Sequence, residues 1–318
     1  MPKYIGWLIS LLLVGSTVVG CGRESSNEAD ADLSSRQIKI VSTTQMVTDL
    51  VERVGRERVE VEGLMGPGVD PHLYKASEGD VIALADADAV FYNGLHLEAK
   101  VAEVFERMGD RVRTFAVTDG IPRQRLLAPP AFAGAYDPHV WFDVGLWREA
   151  LVQVRDDLVS LDRANASIYR RNAAAYDQEL ADLEAWTRTQ TARVPPQQRV
   201  LVTAHDAFNY FGVAYGFQVR GLQGISTASE AGTRDVRELA EFIAEREIPA
   251  IFVESSVSPR AIEAVQEAVQ ARGFDVGIGE RLFSDAMGDP DTEQGTYPGM
   301  VRHNVRAIVS GLLGEGDV

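Results

Sequence analysis

NASIYRRNAAAYDQELADLEAWTRTQT, residues 165–191, is the stretch that decides the fold. It holds neither glycine nor proline and is rich in alanine, leucine, glutamate, glutamine and arginine. Such residues lose little freedom on entering a helix. Pro195-Pro196 ends the run, because proline has no N–H to donate and collides with the preceding turn. A helix of this length spans roughly 40 Å at 1.5 Å per residue. A shorter helix precedes it, reaching about Ser160, with a break near Leu161-Asp162-Arg163.

On both sides of this stretch the sequence alternates strand and helix. Before it, strands are expected at 38–42, 59–64, 89–92 and 112–117. Helices are expected from a cap at Thr43 or Thr44 through Val54, at 77–85 and at 98–108. After it, strands are expected at 199–203, 219–222, 250–254 and 275–278, and helices at 206–215, 233–246, 259–272 and 298–313. Ser258 is the expected cap of the third of these, with Pro259 as its first residue. This rhythm predicts an α/β fold with mainly parallel sheets. The long helix then reads as a rigid strut joining two Rossmann-like lobes rather than as a further crossover. The expected division is a signal segment at 1–20, a flexible tether at 21–37, an N-terminal lobe at 38–160, the linking helix at 161–194 and a C-terminal lobe at 195–318.

A chain of 318 residues with 45% apolar content can bury two cores. Its formal net charge of −16 excludes nucleic acid, or an anionic membrane held by charge alone, as a partner. The N-terminus has its own logic. Lys3, the apolar run Ile5 to Val14 and Val18-Val19-Gly20-Cys21 read as an export signal ending at a lipobox, with the lone cysteine as the lipid-bearing residue. The apolar run is short for a membrane span. The protein is therefore expected outside the cytoplasm as a monomer, anchored to a bacterial membrane through lipid on Cys21.

Two phrases echo each other: Asp70-Pro71-His72-Leu73-Tyr74 and Asp137-Pro138-His139-Val140-Trp141-Phe142-Asp143. Proline fixes its own φ and moves the residue before it out of the helical region, so each histidine sits on a stiff turn. Only five histidines occur in the chain. A third, His205, follows an apolar strand in Val202-Thr203-Ala204-His205-Asp206-Ala207-Phe208. Asp285 follows another in Leu282-Phe283-Ser284-Asp285. Three imidazoles and one carboxylate make a four-coordinate site for a borderline divalent metal, zinc first. In open α/β sheets ligands gather beyond the carboxyl ends of strands, which places His72, His205 and Asp285 at the cleft and His139 at the mouth of the strut.

With these residues in view, the chain resembles the metal-specific solute-binding proteins of bacterial ABC importers, the TroA-like or cluster A-I group. Phe252-Val253-Glu254-Ser255 adds to the marks, and the resemblance runs from Ile38 to the C-terminus. It implies His72, His139, His205 and Asp285 as ligands of a metal held between the lobes. It also implies delivery to a permease driven by a cytoplasmic ATPase. Ligand softness favours Zn(II). The absence of histidine from 120–136, where zinc members often carry a His-rich loop, keeps Mn(II), alone or beside zinc, as the alternative. Gly279-Glu280-Arg281 stands where the family more often has Gly-Gly-Glu, which should alter the approach to Asp285.

Glu254 closes a strand at the cleft and could accept the second N–H of a ligating histidine; an ordinary capping carboxylate is the alternative. His96 and His303 lack the Asp-Pro setting and read as surface or cap residues. Trp141 and Phe142 read as packing. An exported zinc hydrolase is the competing class, but no His-Glu-x-x-His helix or Gly-x-Ser-x-Gly elbow is present, and four ligands leave no open position for water. A role as a surface adhesin is a further alternative that no residue in the chain identifies.

Overall fold

The computed structural model describes Met1 and residues 33–109, 112–132 and 134–315; Cys21, the signal segment and the tether as far as residue 32 lie outside the described residues. The first half builds β1 (Ile38–Ser42), α1 (Gln45–Gly55), β2 (Val59–Gly63), α2 (Glu78–Asp86), β3 (Ala89–Tyr92), α3 (Ala99–Met108) and β4 (Arg113–Ala116). All pairings are parallel, in the order β2-β1-β3-β4. Helix α2 opens on a reciprocal capping box between Ser77 and Asp80. Of the two expected caps of α1, Thr44 takes the capping position but its side chain makes no capping bond, and Thr43 donates its hydroxyl to buried Glu98 instead.

Helices α4 (Val144–Leu161) and α5 (Ala166–Thr191) follow. Asp143 caps α4 by accepting the N–H groups of Gly145 and Leu146. Asp162 makes the break, its carboxylate accepting from Asn165 N and from Tyr169 Oη. Helix α5 buries Tyr169, Ala173, Tyr176, Leu180, Leu183, Thr187 and Thr191, a stripe at steps of three and four that presents one face. Each large apolar member contributes about 1.5–3 kcal/mol by leaving water. The stripe packs on α1 and α4 of the first half and on the C-terminal helix of the second.

The second half builds β5 (Val200–His205), α6 (Asn209–Tyr215), β6 (Gln218–Gln223), α7 (Thr233–Arg246), β7 (Ala250–Ile251), α8 (Arg260–Gln270), β8 (Gly277–Ile278) and α9 (Tyr297–Leu313). Strand β5 pairs with β6 and β7 with β8, both parallel. Phe252 N donates to Val202 O at 2.9 Å, which seats β7 beside β5 and gives the lateral order β6-β5-β7-β8. The strut is thus not alone in bridging the halves. Tyr297, at the start of α9, donates its hydroxyl to Trp141 O at 2.7 Å, and its backbone N–H approaches Asp49 of α1.

Among the boundaries that differ from expectation, three have a visible local reason. Helix α6 starts at Asn209 rather than Asp206, because Ala207 N donates back to His205 O and the Asp206 carboxylate is spent on Gly221 N. Strand β7 stops at Ile251, because the register against the 277–282 segment advances by one residue between the Ile251–Ile278 pair and the Glu254–Leu282 bridge. That extra residue is a bulge, and it falls at Gly279-Glu280-Arg281. Pro259 sits just ahead of α8, and no side chain caps it.

Gly221 of β6 lies against the chain that leaves β5. A Cβ there would meet Asp206 N at 2.5 Å and His205 C at 2.6 Å. Gly221→Ala is expected to cost about 1–3 kcal/mol of stability by overpacking and to displace His205. Denaturant unfolding measured beside zinc affinity checks this; unchanged stability would mean that the 205–206 segment yields freely.

Candidate metal centre

Four elements converge on one buried point. His72 reaches it from the loop after β2, and His139 from the turn that leads into α4. His205 is the last residue of β5, and Asp285 lies three residues past the Glu254–Leu282 bridge. All four side chains are buried, and one donor atom from each lies within 4.8 Å of the others. The measured separations are tighter than that bound. His72 Nε2 to His139 Nε2 is 3.3 Å, His139 Nε2 to Asp285 Oδ1 3.3 Å, His205 Nε2 to Asp285 Oδ2 3.2 Å and His72 Nε2 to Asp285 Oδ2 3.7 Å.

Each of the three histidines has its backbone N–H held by a carboxylate. Asp70 Oδ1 accepts His72 N at 2.9 Å, and Asp137 Oδ1 accepts His139 N at 3.0 Å. The aspartate of each Asp-Pro-His phrase therefore closes its own turn, which proline stiffness alone does not supply. Asp137 Oδ1 also lies 2.7 Å from His139 Nδ1, leaving Nε2 to face the centre. Asp137 is itself fixed by Asn209 Nδ2 at 3.1 Å on its second oxygen and by Tyr210 Oη at 2.9 Å on its carbonyl. This orienting role went unread in the sequence, although the doubled Asp-Pro-His phrase carried the signal. Glu254 does for His205 what Asp137 does for His139. Its Oε1 accepts His205 N at 2.9 Å, and its Oε2 lies 2.6 Å from His205 Nδ1 in a close ionic contact rather than a well-aligned hydrogen bond. Glu254 thus lies on the far side of the His205 ring from the cluster.

The electrostatics follow from burial and these carboxylates. Burial lowers His72 to about 4, so it is a neutral imidazole at physiological pH. Burial also pulls on His139, but Asp137 and Asp285 outweigh it and hold it up at about 9. His205 is drawn down by burial and raised further by Glu254 and Asp285, ending well above its ordinary value. Burial pushes Asp285 up, yet His205 and His139 hold its carboxyl well below the usual range. Neither oxygen of buried Asp285 has a hydrogen-bond partner. In the metal-free site its charge is met by the imidazoles of His139 and His205, the places a metal cation would take over.

His96 is exposed, at a positive φ of 65° in the turn before α3, and stands apart from the cluster. His303 of α9 contacts the Arg281 carbonyl at 2.8 Å and likewise stands apart.

Two α/β halves linked by long helices, with a buried three-imidazole, one-carboxylate cluster between them, define a protein built to clasp a single cation. Comparison with known families agrees with that class. Residues 40–311 match the family of zinc-uptake complex component A, periplasmic, and the chain belongs to this family of metal-binding substrate-binding proteins of ABC importers. Among its relatives, the manganese-binding lipoprotein MntA of Bacillus subtilis (strain 168) is 44% identical over 307 residues, covering 96% of this chain and 99% of the relative. The zinc-binding protein TroA of Treponema pallidum (strain Nichols) is 50% identical over 274 residues, 86% of this chain and 88% of the relative. The solved structure of the periplasmic zinc-binding protein TroA from Treponema pallidum superposes with a TM-score of 0.85 at 49% identity, covering 87% of this chain and 99% of that one.

Replacing Glu254 by glutamine keeps the shape and removes the charge behind His205. Zinc affinity is expected to fall about tenfold, at the lower end for such supporting groups. Competition against a chromophoric chelator measures it, and an unchanged affinity would return Glu254 to a capping role.

Proposed function

We propose that the chain captures Zn(II) outside the cytoplasmic membrane, with His72, His139, His205 and Asp285 as its four ligands, and hands it to an ABC permease and its ATPase. One observation carries the metal assignment. A tetrahedral zinc with bonds of about 2.0–2.1 Å has donor-to-donor edges of about 3.3 Å. Four donor separations, 3.2 to 3.7 Å with Asp285 taken through one oxygen or the other, lie near that figure, and the whole set falls within 4.8 Å. Asp137 and Glu254 orient two of the imidazoles. The division into lobes 38–160 and 195–318 about a linking helix 161–194 belongs to this reading, as does a monomer tethered through lipid on Cys21. No described helix is long and apolar enough to cross a membrane. The zinc-binding relative supports the metal by its name, and the manganese-binding relative keeps Mn(II) as the second cation to test.

The protein acts as a carrier and not as an enzyme in this reading, since four protein donors fill a tetrahedral zinc. Calorimetric titration of metal-stripped protein with Zn(II) and with Mn(II), beside a screen for hydrolysis, tests it. One tight zinc per chain without turnover is expected. Tighter Mn(II) binding would overturn the metal, and turnover of an ester or amide substrate would overturn the class.

A further inference from the structure

The ties between the two sides of the cleft are distributed unevenly. On the Asp285 side they are many. Gln45, at the start of α1, donates to Gly288 O at 3.0 Å and accepts from Met287 N at 2.9 Å, so its amide pairs with the loop as another strand would. Trp141 Nε1 donates to Ser284 O at 3.1 Å, and Tyr297 donates to Trp141 O at 2.7 Å. The loop bearing Asp285 belongs to the second half by sequence but is pinned to the first by these bonds.

On the His72 side, one described hydrogen bond crosses. Thr227 Oγ1 donates to Asp70 Oδ2 at 2.6 Å. The acceptor is the carboxylate whose other oxygen holds His72 N, and Thr227 is buried. Thr227 stands in the irregular 224–232 segment between β6 and α7, and Gly224 at its start accepts from Asp206 N, the residue after His205. Gly68, on the approach to Asp70, passes close to Ser255 of the other half, where an added Cβ would lie 3.6 Å from the Ser255 carbonyl. The mouth therefore closes on a short, charge-assisted bond between turns that carry or adjoin two proposed ligands, with no further side-chain bond beside it among the described residues.

We infer that Thr227 is the latch of the cleft: its hydroxyl, by gripping Asp70, holds the His72 turn over the bound cation and sets the rate at which the cation leaves. Thr227 touches no metal and acts through Asp70 and His72 as a positioning residue. The opposite edge, pinned through Gln45 and Trp141, stays fixed while this one parts. The inference rests on the metal-carrier reading above and adds to it the residue that governs release.

Thr227→Val keeps the β-branched shape and removes the hydroxyl; Thr227→Ser keeps the hydroxyl. Zinc-loaded full-length protein is mixed with excess chelator in a stopped-flow instrument, and association is followed separately. The valine variant is expected to release zinc about tenfold faster, the share of a hydrogen bond to a charged group that solvent at the mouth leaves uncompensated. Its association rate should stay within twofold of wild type, and the serine variant should release zinc as wild type does. Wild-type release rates in Thr227→Val would overturn the latch. So would a serine variant as fast as the valine one, or a valine variant with a lowered metal-free melting temperature and slowed association, since either assigns Thr227 to packing. Failure of wild-type protein to bind zinc at all would instead overturn the carrier reading.

Discussion

Asp285→Ala is expected to lower zinc affinity by about 10²–10³-fold. Zinc bound by four protein donors in a structural site is worth about 10–16 kcal/mol at neutral pH, so one donor accounts for roughly 3–4 kcal/mol of it. Asp285 should sit at the upper end of that share. It is the anionic member of the set, and its two oxygens approach all three imidazole Nε2 atoms at 3.2–3.7 Å. Both oxygens are buried and face the imidazoles of His139 and His205, whose protons a bound cation would replace. Removing it leaves His139 and His205 with carboxylates only behind them, at Asp137 and Glu254. Asp285→Asn should lose less than alanine, because its carbonyl oxygen can still coordinate. The metal-free fold should persist, since the 284–288 loop stays tied through Trp141 and Gln45. Competition titration with circular dichroism as a folding control measures both. An alanine variant within threefold of wild type would remove Asp285 from the ligand set.

Much of this arrangement was legible in the sequence because its signals are local and stiff. The strut announced itself by the absence of glycine and proline over 165–191 and by Pro195-Pro196 after it, and the structure ends α5 at Thr191. The four cluster residues stood out by setting: two on Asp-Pro turns and two just past strand-like apolar runs. What stayed hidden depends on contacts distant in sequence. The doubled Asp-Pro-His phrase marks Asp137, but not that Asn209 and Tyr210, more than seventy residues away, fix its carboxylate so that it closes the turn and also steadies an imidazole. The bulge at 279–281 was legible only as an odd Gly-Glu-Arg; that it shortens β7 needs both strands in view. The tie of α9 back to Trp141 depends on one tyrosine hydroxyl. The Thr227–Asp70 bond joins residues 157 positions apart, in a segment with neither helical nor strand periodicity to place it.

The largest effect should come from acidity. Two of the three imidazoles enter the metal-free site protonated, His139 with a value of about 9 and His205 well above its ordinary value, while His72, at about 4, enters neutral. A protonated imidazole cannot coordinate, so each zinc that binds must displace two protons. The sign follows directly. Groups protonated in the free protein and deprotonated in the complex make affinity rise with pH, by as many powers of ten per unit as protons are released. Between pH 6 and 8 apparent zinc affinity should therefore rise about 10⁴-fold, about a hundredfold per unit, and flatten only as pH passes the range in which His139 titrates. Histidines at their ordinary value near 6.5 would give a different curve, steep below pH 6 and nearly flat above 7.5. The interval from pH 7 to 8.5 separates the two, and calorimetry in buffers of different ionisation enthalpy counts the protons at each point. About two protons released at pH 7.5 is the expected count. A count near zero, with affinity unchanged from pH 7 to 8.5, would mean that Asp137, Glu254 and Asp285 do not hold protons on His139 and His205. The carboxylates would then serve only to aim the rings, and zinc would enter a site already stripped for it.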